Sequence, residues 1–525
     1  MRKAFYIAAA TLLALIALVA LFWPPILWLL LPVLPLVALG LYDVHVSNSN
    51  VLSNYPVIGH LRYMLEFISP EIHQYFIETP QSGRPYNREQ RELIQERADG
   101  TPDTMPFGTV LDIDDNGAEF AFHSLAPKKV PESFGRITVG GPQCTKPYNA
   151  SRLNISAMSF GALSSNAIEA MNLGAKRGGF AHNTGEGGLS PYHLKHGGDI
   201  VWQIGTAYFG CRTKDGRFDP DAFAERATRD VVKMIELKLS QGAKPSHGGV
   251  LPAAKISEEI ARIRLISRGE DCISPPAHPE FSSPRGLLEF VAKLRELSGG
   301  KPTGFKLCLG IRSEFMGIVK AMLETGILPD FITVDGAEGG TGAAPPEYSD
   351  SLGTPINEAL PFVHACLVGA GLRDRIRIIA SGKVVTGFAM ITKLALGADM
   401  CNVARPMMFA VGCIQARRCD KNTCPTGVAT QDPARAAALD VETKHVRVAN
   451  FHKATVRSFL ELTGAMGLDD PDKLTAHHIF RRVDDGPAAT FAELYEHLEP
   501  GVLVDGTPPP GSHATAWATA SAERF

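Results

Sequence analysis

Three cysteines in the last quarter of the chain have a spacing that suits an inorganic cluster. Cys413, Cys419 and Cys424 form a C-x5-C-x4-C motif that Pro425 follows directly. Soft thiolate ligands select zinc or iron–sulfur clusters. A structural zinc ion needs four ligands, and no histidine lies near the motif. Three thiolates therefore favour a cluster with one vacant corner, 3Fe-4S. Ordinary thiols without metal, and a four-cysteine cluster that recruits Cys401, are the alternatives.

Glycines and cations follow three consecutive apolar runs, and together they suit a phosphate group. The segments are residues 335–342 (DGAEGGTG), 381–383 (SGK) and 404–405 (AR). Glycine permits close approach of the backbone, so that N–H groups can hold phosphate oxygens. Each segment alone is typical of a tight turn between a strand and a helix. Their occurrence at the ends of consecutive runs predicts a phosphate-binding site.

Three further cations suggest binding of organic anions. Lys306 lies between Phe305 and Leu307 in an apolar run. If it points inward at the mouth of a barrel, it would stabilise the anionic edge of a reduced flavin. Lys244 and Arg264 are suited to the two carboxylates of a dicarboxylate. The alternatives are a partly exposed lysine at a strand start and, for the other two, solvated surface charge.

The elements that must position these residues alternate between short apolar runs and helical patterns from about residue 150 to 430. The runs are 153–157, 179–183, 235–239, 271–274, 304–309, 331–334, 376–380 and 400–403. Strands that alternate with helices imply a parallel sheet. Eight units predict an α/β fold of the (β/α)8 TIM-barrel type, in which phosphate commonly binds after strands 7 and 8. Residues 202–210 are predicted to form an additional strand. A doubly wound sheet would need a GxGxxG turn after its first strand, which is missing.

The N-terminal segment is predicted to be a transmembrane hairpin. Residues 4–41 carry no charge and are interrupted by Trp23-Pro24-Pro25. A spanning helix needs about 20 apolar residues, so we predict spans at about 4–22 and 25–42. Arg2 and Lys3 favour a cytoplasmic N-terminus, which predicts a catalytic domain in the cytoplasm, anchored to the cell (inner) membrane. A signal peptide, a single signal anchor or a buried helix pair are the alternatives.

Composition limits the class of protein and the domain plan. The chain has 525 residues, 52 of them Lys or Arg and 55 Asp or Glu, so its net charge of -3 argues against a nucleic-acid partner. With 45% hydrophobic residues, wholesale disorder is excluded. Nine cysteines, an odd number, do not suit a disulfide scaffold. We predict a hairpin (1–43), a mixed helical cap (44–149), the barrel (150–432), a helical segment (433–504) and a disordered tail (505–525).

Eight motifs in order resemble one known family. They are MSFGALS (158–164), HNTGEGG (182–188), LSQGAKP (239–245), ISPP (273–276), FKL (305–307), DGAEGGTGAAP (335–345), SGK (381–383) and the cysteine motif followed by TGVATQD (426–432). Over about residues 130–435 the chain resembles the FMN-binding synthase domain of glutamate synthases, and closely the stand-alone, membrane-tethered members of that family. The resemblance implies a TIM barrel that holds FMN beside a 3Fe-4S cluster.

The family's chemistry is the reductive formation of glutamate. The resemblance implies that ferredoxin, or a separate NAD(P)H-oxidising subunit, reduces the cluster and then FMN. Ammonia, free or derived from glutamine, condenses with 2-oxoglutarate, and reduced FMN converts the imine to L-glutamate. We expect this chain to lack the glutaminase domain of the large enzymes. The alternatives are an N-methylglutamate synthase-like enzyme that uses another amine and a membrane flavin/Fe-S electron-transfer subunit.

The sequence and the resemblance together predict the residues of the site. The predicted catalytic residues are Glu186, Lys244, Lys306 and His247, and the predicted substrate-binding residues are Gln241, Lys244 and Arg264. The predicted cofactor-binding residues are Ala157, Met158, Ser159, Asn183, Lys306, Gly339, Gly340, Ser381, Gly382, Lys383, Ala404 and Arg405, with Cys413, Cys419 and Cys424 as metal ligands. Two positions depart from the family pattern, because His247 replaces a glutamate and Val250 replaces a glutamine of the large enzymes. These departures concern the choice of oxo-acid and amine.

Overall fold

The computed structural model describes residues 1–484 and 486–525 and divides into two compact units, residues 1–90 and 91–525. In the first unit, helices Arg2–Ala20 and Pro24–His45 are long and apolar enough to cross a membrane. The second of these begins as a 3-10 helix, Pro24–Leu29, and continues as an α-helix, Leu30–His45. The helices Asn50–Asn54 and Gly59–Ile72 and the π-helical turn His73–Ile77 follow. Helix Arg88–Asp99 contains the boundary between the units.

The second unit is built on a closed barrel of eight parallel strands, which confirms the predicted (β/α)8 fold. The strands are β1 Leu153–Ile155, β2 His182–Asn183, β3 Ile200–Ile204, β4 Val232–Lys238, β5 Thr303–Leu307, β6 Phe331–Asp335, β7 Arg377–Ser381 and β8 Met400–Val403. Each strand pairs with its neighbours in chain order, and β8 closes the barrel on β1. Because helices cover the outside, most of these strands are buried along their whole length.

Helices follow the strands and form the outer layer of the barrel. Their bounds are Ser165–Gly178, Pro191–Leu194, Pro220–Ala227, Glu258–Arg264, Pro284–Leu297, Arg312–Thr325, Pro346–Ser351, Ile356–Gly369, Gly387–Ala395 and Arg405–Ala410. Local sequence explains where several begin, because a serine or threonine side chain caps the first turn. Ser164 accepts a hydrogen bond from the Ala167 amide, Ser257 from Ile260 and Thr386 from Ala389. Short 3-10 turns connect the elements at Glu132–Gly135, Gly185–Gly187, Ala253–Lys255, Arg373–Arg375, Pro471–Lys473 and Ala476–His478.

One predicted barrel strand was wrong, and another element takes its place. Seven of the eight predicted runs are barrel strands, but the run 271–274 is not. Its residues Cys272–Ile273 pair antiparallel with Val250–Leu251 in a hairpin outside the barrel. The missing barrel strand is β3, which overlaps the segment 202–210 that we predicted as an additional strand. A short apolar strand has the same composition in a barrel and in a hairpin, so its pattern does not reveal its partner.

An antiparallel hairpin closes the amino-terminal end of the barrel. Strands Arg136–Val139 and Tyr148–Ser151 pair with each other, and they contribute Ile137 and Tyr148 to a core cluster with barrel side chains. The barrel residues of this cluster are Ala181, Val201, Met234, Phe331, Ile379 and Met400. Because apolar side chains fill this end, the polar chemistry of the barrel is confined to its carboxyl end.

The C-terminal segment is mixed rather than only helical. Its helices are Pro433–Ala437, Val441–Ala465 and Phe491–Leu494, and strands Ile479–Arg481 and Ala489–Thr490 extend a three-stranded sheet with Glu119–Ala121. The long helix packs on helix Ser165–Gly178, where Gly174 leaves room for Val448.

The tail, which we predicted to be disordered, contains the helix Gly511–Thr519. Its His513 is buried and stacks on Phe362 at a centroid distance of 5.0 Å. A composition rich in Pro, Gly, Ala and Ser favoured disorder, whereas tertiary contacts such as this one stabilise a helix.

Candidate functional site

A buried ion pair lies at the carboxyl end of the barrel. Glu186 is in the 3-10 turn Gly185–Gly187 that follows β2, and its Oε1 lies 2.8 Å from Nζ of Lys238, the last residue of β4. Both side chains are largely buried, with exposed fractions of 17% and 9%. Lys238 is not among the residues predicted from the sequence. The sequence does contain a pattern that points to it. Glu236 and Lys238 lie two residues apart on one strand and therefore share its inward face.

Positive charge surrounds the Glu186 carboxylate. Burial by itself would raise the pKa of Glu186, but Lys238, Lys244 and Arg264 together hold that pKa below its ordinary value. Glu186 is therefore ionised at neutral pH. No protein donor among the residues described contacts its second oxygen, Oε2, which leaves that atom available to accept a proton or a hydrogen bond from a ligand.

Lys244 is a buried cation on the loop that follows β4. Its Nζ donates a hydrogen bond to the Ala343 carbonyl at 2.8 Å. Burial lowers the pKa of Lys244 to about 8, although the Glu186 carboxylate opposes this shift. Lys244 therefore keeps its charge at pH 7 and loses it in mildly alkaline solution.

Arg264 ends the helix Glu258–Arg264, and its guanidinium is buried near the same carboxylate. Its Nη2 donates to the Phe160 carbonyl at 3.2 Å, and the guanidinium lies 5.0 Å from the centre of the Phe209 ring. Its buried Nε–H finds no acceptor within the described part of the chain. A buried donor without a partner costs free energy, so a ligand carboxylate that accepts this hydrogen is favoured.

Lys306 lies on β5 at the same level as Lys238 on β4. Its Nζ is 3.3 Å from Oδ2 of Asp335, the last residue of β6. Burial would lower the pKa of Lys306, but Asp335 and Glu236 raise it above its ordinary value. Lys306 is therefore a buried, protonated cation on β5, and its predicted role toward a flavin stays a prediction.

The same aspartate positions the loop that contains Gln241 and Lys244. The Gly242 amide donates to Oδ2 of Asp335 at 2.9 Å. A Cβ atom on Gly242 would lie 1.7 Å from the Gly336 carbonyl oxygen, so only glycine permits this close approach. Gln241 is on this loop, and its carbonyl accepts a hydrogen bond from the Lys244 amide at 3.3 Å.

A carboxylate inside the barrel fixes the strands beneath this site. Glu236 accepts hydrogen bonds from Asn183 on β2 at 2.7 Å, from Gln203 on β3 at 2.6 Å and from Thr333 on β6 at 2.7 Å. All four side chains are buried. The predicted cofactor residue Asn183 thus has a structural role, and its Oδ1 also accepts from the Gly185 amide at 3.0 Å.

The loop after β1 packs against the turn that positions Glu186. Ala157, Met158 and Ser159 form this loop, and the Met158 amide donates to the Asn183 carbonyl at 3.5 Å. A Cβ atom on Gly185 would lie 2.8 Å from the Ser159 amide nitrogen, and Gly185 has a φ of 62°. Both the close approach and the left-handed backbone require glycine.

The residues predicted to hold a phosphate lie at the ends of β6, β7 and β8. Ser381 ends β7, and its Oγ lies 3.4 Å from Oγ of Ser156. Gly382 and Lys383 follow it, while Ala404 and Arg405 follow β8. Arg405 Nη2 donates to the Glu338 carbonyl at 2.7 Å, in the loop that contains Gly339 and Gly340.

A Cβ atom on Gly340 would lie 2.8 Å from the Arg405 side chain. Lys383 and Arg405, which lie beside these glycine-rich turns, are donors of the kind that bind a phosphate group.

The three motif cysteines lie on one loop, residues 413–424. Backbone and hydroxyl donors approach two of the sulfurs, since the Gln415 amide donates to Cys413 Sγ at 3.4 Å and Cys424 Sγ lies 3.5 Å from Thr426 Oγ1. Burial raises the pKa of the Cys413 thiol to about 12. Burial also acts to raise that of Cys424, but hydrogen bonds from Thr426 and neighbouring amides lower it overall.

In residues 1–484 and 486–525 no group of three or more His, Cys, Asp or Glu residues is placed to hold a single metal ion. Cys413, Cys419 and Cys424 are free thiols, and their predicted role as cluster ligands stays a prediction. Lys255 lies under this loop and donates to the Cys419 carbonyl at 3.1 Å and to the Ala162 carbonyl at 2.8 Å.

The side chain of His247 contacts groups outside the charged cluster. Its Nδ1 is 2.8 Å from the Gly248 carbonyl oxygen, and its ring meets that of Tyr348 edge-on at 5.0 Å. Its backbone amide donates to the Lys244 carbonyl at 3.3 Å, whereas no hydrogen bond or ion pair within the described residues joins its side chain to Glu186 or Lys244. Its predicted catalytic role stays a prediction.

Two comparisons by sequence identify the family of the chain. A family model described as a conserved region in glutamate synthase matches residues 135–469. The glutamate synthase large subunit-like protein YerD of Bacillus subtilis is 38% identical over 493 residues, which cover 86% of this chain and 93% of that protein. The archaeal glutamate synthase (NADPH) of Methanocaldococcus jannaschii is 35% identical over 321 residues, 61% of this chain and 60% of that one.

Among solved structures, a flavocytochrome b2 variant with pyruvate bound has a TM-score of 0.41 at 12% identity, covering 79% of this chain and 85% of the other. At this level of similarity it says nothing about substrate or cofactor. The family model matches more than half of the chain, and the Bacillus relative is similar along nearly all of its length. The chain therefore belongs to the glutamate synthase family and is an oxidoreductase of the glutamate synthase type.

Proposed function

We propose that this protein is a membrane-anchored enzyme that reduces the imine of 2-oxoglutarate and ammonia to L-glutamate. The proposal rests on one observation above all. A buried carboxylate, Glu186, has a direct ion pair with Lys238, and the charges of Lys244 and Arg264 act on it at the carboxyl end of the barrel. This arrangement offers cations for a dicarboxylate and one carboxylate for an ammonium or iminium ion.

Lys244 and Arg264 are proposed to bind the two carboxylates of the oxo-acid. Arg264 offers an unpartnered, buried Nε–H, and Lys244 has an ammonium group whose present partner is a backbone carbonyl. Charge-assisted hydrogen bonds to carboxylates are about twice as strong as neutral ones. Burial of both groups excludes water and holds the substrate in one orientation.

Glu186 is proposed to handle the proton of the amine. Ammonium must lose a proton before its nitrogen attacks the carbonyl carbon, and the resulting imine is reduced most easily when it is protonated. An ionised Glu186 can accept that proton at Oε2 and return it to the imine nitrogen. Lys238 fixes the other oxygen and thereby the orientation of the carboxylate.

FMN, when bound, would supply the hydride that reduces the imine carbon. The residues at the ends of β6, β7 and β8 are proposed to hold its phosphate through the backbone amides of Gly340 and Gly382 and the cations Lys383 and Arg405. Lys306 would balance the negative charge of the reduced ring, because neighbouring acidic groups keep it protonated.

Cys413, Cys419 and Cys424 are proposed to ligate a 3Fe-4S cluster, which would supply electrons to the flavin when bound. Iron would displace the thiol protons despite the raised pKa of Cys413, because a metal deprotonates a coordinating thiol. The electron donor is proposed to be ferredoxin or a separate NAD(P)H-oxidising subunit.

The two apolar helices are proposed to anchor the enzyme to the inner membrane. Helices of this length and composition are able to span a bilayer, and Arg2 and Lys3 at the first helix favour an N-terminus in the cytoplasm. Two spans return the chain to the same side, so the barrel would also lie in the cytoplasm.

The decisive experiment is a half-reaction with the full-length enzyme purified anaerobically. Flavin and iron are quantified, the flavin is reduced chemically, and its reoxidation is followed on addition of 2-oxoglutarate with ammonium. We expect reoxidation coupled to one glutamate per flavin, and neither substrate alone should suffice. Reoxidation with methylamine but not ammonium would identify an N-methylglutamate synthase instead. Val250 makes that comparison necessary, because it cannot form the hydrogen bond of the glutamine that it replaces.

Reoxidation by a quinone alone, with no response to any oxo-acid and amine, would replace the synthase proposal by an electron-transfer role.

Binding of 2-oxoglutarate should weaken as the pH rises through 8. Lys244 is protonated below its pKa of about 8 and neutral above it, so a carboxylate loses its counter-charge on the alkaline side. If only the charged form binds, Kd should increase about tenfold between pH 7 and pH 9. Titration of the oxidised enzyme with 2-oxoglutarate in the absence of amine measures this directly.

In Lys244→Arg, whose side chain stays charged, the Kd should be independent of pH over the same range. A Kd for the unmodified enzyme that does not change between pH 7 and pH 9 would contradict this prediction.

A further inference from the structure

An exposed apolar stripe runs along helix Gly59–Ile72 in the N-terminal unit. It consists of Leu61, Met64, Leu65, Ile68 and Ile72, whose exposed fractions are 55%, 53%, 56%, 37% and 39%. These positions follow the spacing i, i+3, i+4, i+7 and i+11, which places them on one face of an α-helix. Large apolar side chains of a soluble helix normally face a core, so this face requires another partner.

Charged side chains lie on the opposite side of the helix, together with the exposed rings of Tyr63 and Phe67. Arg62 and Glu66 form an exposed ion pair at 2.8 Å, and His73 in the following turn lies 3.3 Å from Glu78. A helix with one apolar and one charged face is typical of segments that lie in the plane of a membrane surface.

Hydrogen bonds fix the start of this helix to one end of the apolar hairpin. Asp43, buried in the last turn of helix Leu30–His45, accepts from the Val57 amide at 2.8 Å and lies 2.9 Å from Nε2 of His60. At the same end, Arg2 donates to the Ser53 carbonyl at 2.5 Å. The helix therefore begins where both hairpin helices have their polar ends, which is the level at which a spanning hairpin meets water.

Exposed aromatic residues lie at the same end of the hairpin. Tyr42, Tyr55 and Tyr63 are exposed there, and Tyr63 hydrogen-bonds Ser49 at 2.6 Å. Trp23 and Trp28 are exposed at the opposite, turn end of the hairpin. The 19 residues of the first helix span about 28 Å at 1.5 Å per residue, close to the thickness of a bilayer core. Tyrosine and tryptophan are enriched at the two membrane interfaces.

We propose that helix Gly59–Ile72 lies in the membrane interface, with its stripe of Leu61, Met64, Leu65, Ile68 and Ile72 buried among the lipid chains. The inference rests on the proposed membrane anchoring and goes beyond it, since it assigns a second, non-spanning lipid contact to the chain. Lipid is favoured over a protein partner because the hydrogen bonds of Asp43 hold the start of the helix at the end of the hairpin. The apolar face of the helix therefore lies at the level where the hairpin would leave the bilayer.

Two single tryptophan substitutions in the full-length protein test the orientation of the helix. Ile68→Trp is on the apolar face and Glu66→Trp is about 160° away around the helix. Each variant is reconstituted in liposomes whose acyl chains are brominated near the headgroups, and the fluorescence of the unmodified protein is subtracted. We expect the Ile68→Trp signal to be blue-shifted and quenched several-fold more than the Glu66→Trp signal.

Carbonate extraction of the same liposomes separates this proposal from the anchoring itself. Equal, weak quenching at both positions in protein that resists extraction would overturn the interfacial helix and leave the hairpin intact. A blue-shifted but unquenched Ile68→Trp signal would also overturn it, because protein, such as a second copy of the chain, would then cover the stripe. Protein that carbonate removes would overturn both the anchoring and the helix.

Discussion

The Glu186→Gln variant should lose between about 10² and 10⁴ of kcat/KM for glutamate formation, the range typical of a lost proton-transfer residue. Glutamine has nearly the same shape as glutamate but cannot accept the proton of ammonium. It also removes the negative charge that Lys238 contacts and that lies close to Lys244 and Arg264. The reoxidation rate of chemically reduced enzyme with 2-oxoglutarate and ammonium measures the effect, and flavin content should be unchanged.

A matched control is Glu289→Gln, on the exposed side of helix Pro284–Leu297, which should react at the normal rate. The pH profile separates a chemical role from a merely structural one. Removing the carboxylate should eliminate the acidic limb of the profile, whereas a packing defect would lower the rate equally at all pH values. If Glu186→Gln reoxidises its flavin at the normal rate, the carboxylate has no part in the chemistry.

Replacing one cysteine of the motif should separate electron entry from imine reduction. In Cys419→Ser we expect loss of bound iron and a roughly tenfold or greater fall in flavin reduction by the electron donor, because serine does not replace a soft thiolate ligand. Enzyme whose flavin is reduced chemically should still convert 2-oxoglutarate and ammonium at a near-normal rate. Iron analysis, the electron paramagnetic resonance signal of the oxidised cluster and the two half-reactions are the measurements.

Cys144→Ser is the matched control for the loss of a thiol. Cys144 is partly buried and lies in a loop between the strands that close the other end of the barrel, where its Sγ contacts the Gly300 carbonyl oxygen at 3.3 Å. Its iron content and both half-reactions should be unchanged. Normal iron content in Cys419→Ser would mean that the motif does not ligate the cluster.

The barrel was largely predictable because burial of parallel strands leaves a strong trace in sequence. Seven of the predicted apolar runs are strands of the barrel. The polar segments that follow three of these runs lie, as predicted, at the carboxyl end of the barrel. The prediction failed where it had to decide which strands pair with each other. The hairpin Val250–Leu251 with Cys272–Ile273 resembles a barrel strand in composition, and only its antiparallel pairing excludes it. The helix Gly511–Thr519 was missed because tertiary contacts of His513 outweigh its loop-like start.

The sequence predicted some of the charged groups that the structure brings together, but not the groups that orient them. Glu186, Lys244, Arg264 and Lys306 were predicted from charge in apolar surroundings and from the family resemblance, and their roles stay predictions. Lys238 and Asp335 were not assigned to the site, although each ends a strand and contacts one of those residues. Their importance depends on register across the barrel, which places Lys238 level with Lys306. A single sequence does not display that register.

The 64 residues between β4 and β5 contain both proposed carboxylate-binding cations, whereas the strand ends after β6, β7 and β8 contain the proposed phosphate-binding residues. In the proposed function, selectivity for the acid and retention of the redox group are thus encoded in separate stretches of the polypeptide. Substitutions in the segment between β4 and β5, where His247 and Val250 lie, would then alter the choice of acid or amine and leave the proposed cofactor-binding residues in place.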